Sequence, residues 1–193
     1  AGFELTRELA GGELEVQFPI APTESYRERV DQRDHEAVRA SLRPFFEPRT
    51  VAVIGASRRR GSIGGELFRN ILVGDFAGAA YPVNRDGEPV AGVRAYRSVA
   101  EIPDEVDVAV VSLPASAVLE AVEEALEAGV EALVVISAGF AEVGAEGAAL
   151  QGRLLELVRS HGGRLIGPNC LGIAVAGVSL NATFAARTPA SGN

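Results

Sequence analysis

A glycine-rich turn that contains three arginines is the part of this sequence best suited to hold a ligand. It follows the apolar run TVAVI and has the sequence GASRRRGSIG at residues 55–64. Glycine lets the backbone approach a phosphate closely, and the free N–H groups at a helix start attract an anion. The turn therefore predicts a phosphate site. The alternative is a turn whose glycines serve only steric needs and whose arginines form a solvated loop face.

The residues after the second apolar run narrow the choice of phosphate compound. NAD-binding proteins usually place an Asp or Glu there, where its carboxylate bonds the ribose hydroxyls. This chain has Asn84 and Arg85, and Asp86 comes slightly late. An arginine suits a phosphorylated ribose, as in NADP or coenzyme A. The residues at this position do not distinguish NADP from coenzyme A.

Composition excludes several classes of function. The net charge of the 193 residues is −8, which argues against a nucleic-acid partner. No apolar run approaches the roughly 20 residues of a membrane span, and no signal peptide is visible. The single Cys170 gives no sign of an oxidising compartment, so we expect a cytoplasmic protein without a membrane partner. The chain has neither methionine nor lysine, so its 18 basic residues are all arginine, and we expect a piece of a larger protein.

Short apolar runs, in which apolar and polar residues do not alternate, predict the strands that position these turns. TVAVIG, AAYPV, VDVAVVSL, ALVVIS and RLIGP have the pattern of strands buried on both faces of a parallel sheet. Helical stretches that end at glycines lie between them, with Leu67, Phe68, Ile71 and Leu72 forming one apolar stripe and Ser116 as a helix cap. This α/β alternation predicts a doubly wound, Rossmann-like parallel sheet over residues 50–185. Residues 1–20 predict a hairpin around Gly11 and Gly12. Residues 21–49 predict a linker or docking segment with room for one or two helices, and residues 186–193 the start of a second linker.

Five motifs in order carry a family resemblance. VAVIGAS, YPVN, ISAGFAE, GPNCLGI and LNATF, spread over about residues 50–185, resemble the CoA-binding domain of the NDP-forming acyl-CoA synthetases. That family includes ADP-forming acetyl-CoA synthetase and the succinyl-CoA synthetase alpha subunit. The resemblance implies a CoA or acyl-CoA ligand whose pyrophosphate lies at the turn of residues 61–64. It also implies ATP or ADP with magnesium in the larger protein only, and the flanking domains of that protein as partners. An oligomer is possible.

By the same resemblance, the cofactor contacts would come from the loops after the successive strands. The expected contacts are Gly55, Ala56, Ser57, Arg58, Gly61, Ser62, Ile63, Gly64, Val83, Asn84, Arg85, Ser112, Leu113, Pro114, Ser137, Ala138 and Gly139, with Asn169 and Cys170 near the active-site end. Arg85 is the leading candidate to contact the 3′-phosphate of CoA, with Arg58, Arg59 and Arg60 as helpers.

Residues 1–20 carry a second, shorter resemblance. GFELTRELAGGELEVQFPI is similar to the last hairpin of a GNAT-type acetyltransferase. Together the two resemblances imply a fusion protein that is an ADP-forming acetate–CoA ligase, a protein lysine acetyltransferase, or both.

We expect no catalytic residue and no metal ligand in this chain. Neither His35 nor His161 matches the family's phosphohistidine, and His161 is better explained as a favourable contact at a helix C-terminus. Cys170 has no nearby histidine base in the sequence, and the glutamates of residues 120–127 predict a solvated helix face. Two alternatives remain, namely an NADP-binding oxidoreductase domain and a ligand-sensing regulatory domain.

Overall fold

The computed structural model describes residues 6–10, 13–17 and 24–186, and the chain divides into the compact units Ala1–Ser41 and Leu42–Asn193. In the first unit, β1 (Thr6–Ala10) pairs with β2 (Glu13–Gln17) in antiparallel register. This confirms the predicted hairpin strands, although Gly11 and Gly12 lie outside the described residues. The predicted linker of residues 21–49 contains one long helix, α1 (Glu24–Phe46), in agreement with the one or two helices that its sequence allows, and this helix accommodates Pro44 in its last turn.

The second unit is built on a five-stranded parallel sheet, as the apolar runs predict. Its strands are β3 (Thr50–Ile54), β4 (Ala79–Val83), β5 (Val108–Val111), β6 (Ala132–Val135) and β7 (Arg164–Ile166). Their order in the sheet is β4-β3-β5-β6-β7. The chain steps outward from β3 to β4 and then crosses to the other side of β3. The strand order therefore reverses between β3 and β5, which is where open α/β sheets bind ligands.

Beside the sheet, the described residues of this unit form three further α-helices and a hairpin. They are α2 (Ile63–Val73), α3 (Ala115–Glu127), α4 (Ala145–Ser160) and the antiparallel pair β8 (Gly172–Val175) and β9 (Leu180–Thr183). Two predictions about the helices are wrong. Leu72 is exposed, because the buried stripe of α2 consists of Leu67, Phe68 and Ile71. Ser116 is not a helix cap, because α3 begins at Ala115 and Pro114 takes the cap position.

The hydrophobic core lies on both faces of the sheet, because successive strand residues point to opposite sides. On one face, Ala52 and Ile54 pack with the buried side chains of α3 and α4, among them Val118 and Leu154. On the other face, Val51 and Val53 pack with Leu67, Phe68 and Ile71 of α2, Phe45 at the end of α1, and Leu180 of β9. The central strands are thus buried on both sides, as their continuous apolar sequence predicts. No helix within residues 24–186 combines the length and the apolar character of a membrane span.

Candidate ligand-binding cleft

A cleft of about 640 Å³ opens at the carboxyl ends of β3, β4 and β5. Its position is the point where the strand order reverses, which the topology of the sheet marks as the ligand site. Its volume lies within the range of small-molecule and cofactor pockets. The lining residues are Ile54, Gly55, Ala56, Val83, Asn84, Arg85, Arg97, Val99, Leu113, Pro114, Ser116, Ala117, Glu120, Ala121 and Glu124.

One wall of the cleft is a single face of α3. Ser116, Ala117, Glu120, Ala121 and Glu124 follow the three- and four-residue spacing that places side chains together on a helix. The two alanines contribute small apolar side chains to this wall beside the two glutamates. The sequence predicts a solvated helix face for the glutamates of α3, whereas the structure places Glu120 and Glu124 in the lining of the cleft.

The glycines of the turn after β3 allow α2 to pack closely against the sheet. A Cβ at Gly64 would lie far inside the van der Waals radius of the Gly55 carbonyl oxygen, and a Cβ at Gly55 would overlap the Ser112 carbonyl oxygen in the same way. Gly55 also has a φ of 90°, a conformation that side chains disfavour. Gly64 is buried and does not line the cleft, so its lack of a side chain serves the packing of α2 on β3.

Some backbone N–H groups of this turn donate hydrogen bonds within the described residues, and others do not. Those of Gly55 and Ala56 both donate to the Val83 carbonyl, at 2.9 and 3.2 Å, and Ser62 donates to the Arg59 carbonyl. Gly61 donates to the Glu66 carboxylate at 2.9 Å. In contrast, the N–H groups of five residues of the turn make no hydrogen bond within the described part of the chain, and they therefore remain available to an anion. These five are Ser57, Arg58, Arg60, Ile63 and Gly64.

Two arginines near the turn are neutralised by carboxylates. Arg58 pairs with Glu88 at 3.0 Å, and Arg69 pairs with Glu66 at 2.7 Å. The Arg58 pair joins the turn after β3 to the loop after β4. Both pairs are partly or largely exposed to solvent, so each contributes little to stability.

Asn84 shapes the loop after β4. Its side-chain amide donates to the Glu88 carbonyl at 2.9 Å, and its side-chain oxygen accepts the Glu88 N–H at 3.0 Å. Both halves of the carboxamide are therefore engaged in closing the turn of residues 84–88. Arg85 follows on this turn at the rim of the cleft, and its exposed guanidinium makes no ion pair with a described residue.

The loops after β5, β6 and β7 are tied to one another. The Leu113 N–H donates to the hydroxyl of the buried Ser137 at 3.0 Å, and the Asn169 N–H donates to the Ser137 carbonyl at 3.0 Å. Leu113 and Pro114 line the cleft. The predicted contacts that do not line it are Ser57, Arg58, Gly61, Ser62, Ile63, Gly64, Ser112, Ser137, Ala138, Gly139, Asn169 and Cys170.

The loop after β6 is filled by its own carboxylate. The Gly139 N–H donates to Glu142 Oε1 at 2.5 Å. This contact first, and then the N–H groups of Glu142 itself and Phe140, lower the pKa of the Glu142 carboxyl below its ordinary value. Because the carboxylate already faces these N–H groups, they are not open to a bound anion.

Cys170 and the two histidines show no catalytic arrangement. The Cys170 thiol is half-buried and donates to the Val135 carbonyl at 3.4 Å, and burial raises the pKa of the thiol, which disfavours the thiolate. His161 caps the C-terminus of α4, with Nδ1 3.0 Å from the Leu157 carbonyl oxygen. His35 lies exposed on α1.

Sequence reasoning missed Arg97 and the cleft face of α3. Arg97 belongs to an irregular segment, where side-chain direction cannot be deduced from periodicity. The residues of α3 had a usable signal, because the spacing of 117, 120, 121 and 124 defines one helix face next to the carboxyl end of β5.

The comparisons with known proteins agree with this geometry. The family model described as "CoA binding domain" matches residues 49–181. Acetate–CoA ligase (ADP-forming) I of Archaeoglobus fulgidus is 44% identical over 148 residues, which cover 77% of this chain and 21% of that protein. The alpha subunit of acetate–CoA ligase (ADP-forming) II of Pyrococcus furiosus is 46% identical over 140 residues, which cover 72% of this chain and 30% of that subunit.

A solved structure extends the likeness to three dimensions. "Dinucleotide forming" acetyl-coenzyme A synthetase 1 of Ca. Korarchaeum cryptofilum, in complex with phosphate and ADP, superposes with a TM-score of 0.75 at 40% identity. The match covers 79% of this chain and 32% of that one. This chain thus spans about a fifth to a third of the length of these relatives. It belongs to the CoA-binding domain family, and its domain is related to that of the ADP-forming acetyl-CoA synthetases.

Proposed function

We propose that this chain binds coenzyme A or an acyl-CoA in the cleft at the carboxyl ends of β3, β4 and β5. The observation that carries the proposal is that a cleft of about 640 Å³ lies where the strand order reverses. The turn of residues 55–64 borders this cleft through Gly55 and Ala56, and it carries the open N–H groups beside the start of α2. The family match supports CoA as the ligand that these features serve.

The ligand has a preferred orientation in this proposal. Its diphosphate lies at the start of α2, where the N–H groups of Ser57, Arg58 and Ile63 are open and the helix dipole favours an anion. Its adenosine lies toward Asn84 and Arg85, against the apolar lining of the cleft. Its pantetheine arm then extends past Leu113 and Pro114 toward the Ser137 loop, with Cys170 and Asn169 at the far end.

The larger protein is proposed to be an acyl-CoA synthetase that forms ADP. The names of the relatives support this, since two of them are ADP-forming acetate–CoA ligases. In such a protein the residues described here bind and orient the coenzyme, while ATP or ADP with magnesium belongs to other domains. Cys170 keeps its thiol protonated and His161 is engaged at the end of α4, which supports a binding role for this unit.

A GNAT-type acetyltransferase fused before residue 20 is a separate proposal. The antiparallel pairing of β1 and β2 agrees with it, because a closing hairpin is what the resemblance implies. The family match begins at residue 49 and therefore lends it no support.

Isothermal titration calorimetry with CoA, acetyl-CoA, NAD⁺ and NADP⁺ tests the binding proposal. We expect CoA and acetyl-CoA to bind more tightly than either dinucleotide. Ala117→Leu should weaken CoA binding about tenfold or more, since the added side chain enters the cleft and removes space that the ligand needs. Ala149→Leu, the same change at an exposed position of α4, is the matched control. Tighter binding of NAD⁺ or NADP⁺ than of CoA would refute the proposal.

A further inference from the structure

We propose that Arg97 and Arg85 act together as a two-arginine clamp for a phosphate monoester on the ribose of the bound nucleotide. Arg97 is a specificity-determining residue in this proposal, and the inference rests on the proposed binding of a CoA nucleotide in the cleft. Both arginines line that cleft. They come from chain segments 12 residues apart, so the fold must bring them together.

A short backbone ladder brings the two arginines to the same rim. Val83 at the end of β4 forms a parallel bridge with Tyr96. The Tyr96 N–H donates to the Pro82 carbonyl at 3.0 Å, and the Asn84 N–H donates to the Tyr96 carbonyl at 2.9 Å. Parallel pairing makes both segments leave the bridge in the same direction. Arg97 follows Tyr96 directly and Arg85 lies two residues after Val83, so both arginines lie just beyond the bridge, where both line the cleft.

Two further contacts hold Arg97 in place. Its backbone N–H donates to the Glu101 carboxylate at 3.0 Å. Its side chain crosses over Gly87, where a Cβ would lie 3.3 Å from Arg97 Cγ and 3.4 Å from Nε. Gly87 has a φ of 66° and no side chain, and it therefore provides both the turn and the space that the Arg97 stem occupies.

The two sides of the cleft carry opposite charges. Within the described residues neither Arg85 nor Arg97 forms a salt bridge, whereas Arg58 and Arg69 each do. The α3 wall carries Glu120 and Glu124. A phosphate monoester carries close to two negative charges at neutral pH. It is repelled by the carboxylate wall and attracted to the rim with the two free guanidinium groups, each of which can bond it through a fork of N–H donors.

This arrangement predicts a class of ligand rather than one compound. CoA carries a phosphate monoester at the 3′ position of its ribose, and NADP carries one at the 2′ position. Dephospho-CoA differs from CoA only in lacking this phosphate, and NAD differs from NADP in the same way. The two pairs therefore measure the contribution of the monoester alone.

A double-mutant cycle measures the clamp. Calorimetry is done with CoA and dephospho-CoA on the unmodified chain, Arg85→Gln, Arg97→Gln and the double variant. We expect the unmodified chain to prefer CoA about thirtyfold, each single variant about fivefold, and the double variant to show no preference. Dephospho-CoA affinity should change less than twofold throughout. Arg153→Gln, an exposed arginine on α4, is the matched control and should keep the full preference.

The outcomes separate this inference from the function on which it rests. Absence of CoA binding by the folded, unmodified chain would refute the proposed function. Tight binding of CoA and dephospho-CoA with equal affinity would leave that function intact and overturn the clamp. Arg97→Gln that weakens both ligands equally would overturn the role of Arg97. A preference for NADP⁺ over NAD⁺ that disappears in the double variant would support the clamp, with the 2′-phosphate as a second source of the monoester.

Discussion

Two glycine-containing loops at the same edge of the sheet differ in what their backbone N–H groups do. The turn of residues 55–64 after β3 leaves the N–H groups of Ser57, Arg58, Arg60, Ile63 and Gly64 open. In the loop of residues 137–144 after β6, the N–H groups of Gly139, Phe140 and Glu142 face the carboxylate of Glu142. Both loops lead into a helix, and both are rich in small residues. One is available to an external anion, and the other already holds an internal one.

The difference shows that glycine content does not by itself identify an anion site. The first turn also receives an acid from the following helix, since Glu66 accepts the Gly61 N–H, but Arg69 neutralises that carboxylate. Within the described residues Glu142 forms no ion pair, and backbone N–H groups hold its carboxylate. The position and the partner of the nearest acid therefore decide whether a loop can accept a phosphate.

The largest expected effect contrasts a glycine in each loop. Gly64→Ala should lower the free energy of unfolding by roughly 3 kcal/mol or more, because its Cβ would overlap the Gly55 backbone in a packed interface. Gly144→Ala should cost about 1–2 kcal/mol, because its φ of 115° is unfavourable but no atom lies within 4 Å. Urea unfolding followed by circular dichroism measures both. Equal losses would contradict the close approach of α2 to β3 as the reason for Gly64.

An intermediate effect concerns the two acids. Glu66→Gln should strengthen CoA binding about threefold, because it removes a negative charge beside the open N–H groups at the start of α2. Glu142→Gln is the matched control in the other loop and should change CoA affinity by less than a factor of about 1.5. Calorimetry with CoA at fixed ionic strength measures both. A larger change in CoA affinity with Glu142→Gln than with Glu66→Gln would place the anion in the loop after β6 and contradict the proposed phosphate site.

The smallest expected effect is a pH dependence of stability. The folded-state pKa of Glu142 lies below its unfolded value, so its contribution is complete above the unfolded pKa and is lost as pH falls through the folded one. The melting temperature of the unmodified chain should therefore exceed that of Glu142→Gln slightly at pH 7, and the difference should shrink toward pH 3. The carboxylate is fully exposed to solvent, which keeps the effect small. A difference that grows on acidification would contradict the lowered pKa.

The sheet was predictable from sequence because its signal is strong and redundant. Each strand of the parallel sheet is built on a short apolar run, and Val51 with Ala52 illustrates why, since the two face different cores and both must be apolar. The glycines that end the helices added further signals, such as Gly129 and Gly162 with positive φ. The same pattern located the carboxyl edge of the sheet and therefore the cleft.

The residues that the sequence did not reveal depend on tertiary contacts. Leu72 fits an apolar stripe, yet the core beneath α2 is already filled by Leu67, Phe68 and Ile71. Asn84 occupies the position of a ribose ligand in the sequence pattern, whereas the fold uses its carboxamide to close a turn. Arg97 reaches the cleft only because Tyr96 pairs with Val83, a bridge of a single residue that leaves no periodic signal.

The most direct test of the account is a titration of the ¹⁵N-labelled chain with CoA, followed by amide chemical shifts. We predict that the largest changes occur at Ser57, Arg58, Ile63 and Gly64, while the amides of Gly139 and Phe140 change little because Glu142 already occupies them. Saturating CoA that shifts the amides of residues 139–142 and leaves residues 57–64 unchanged would contradict the assignment of the phosphate site.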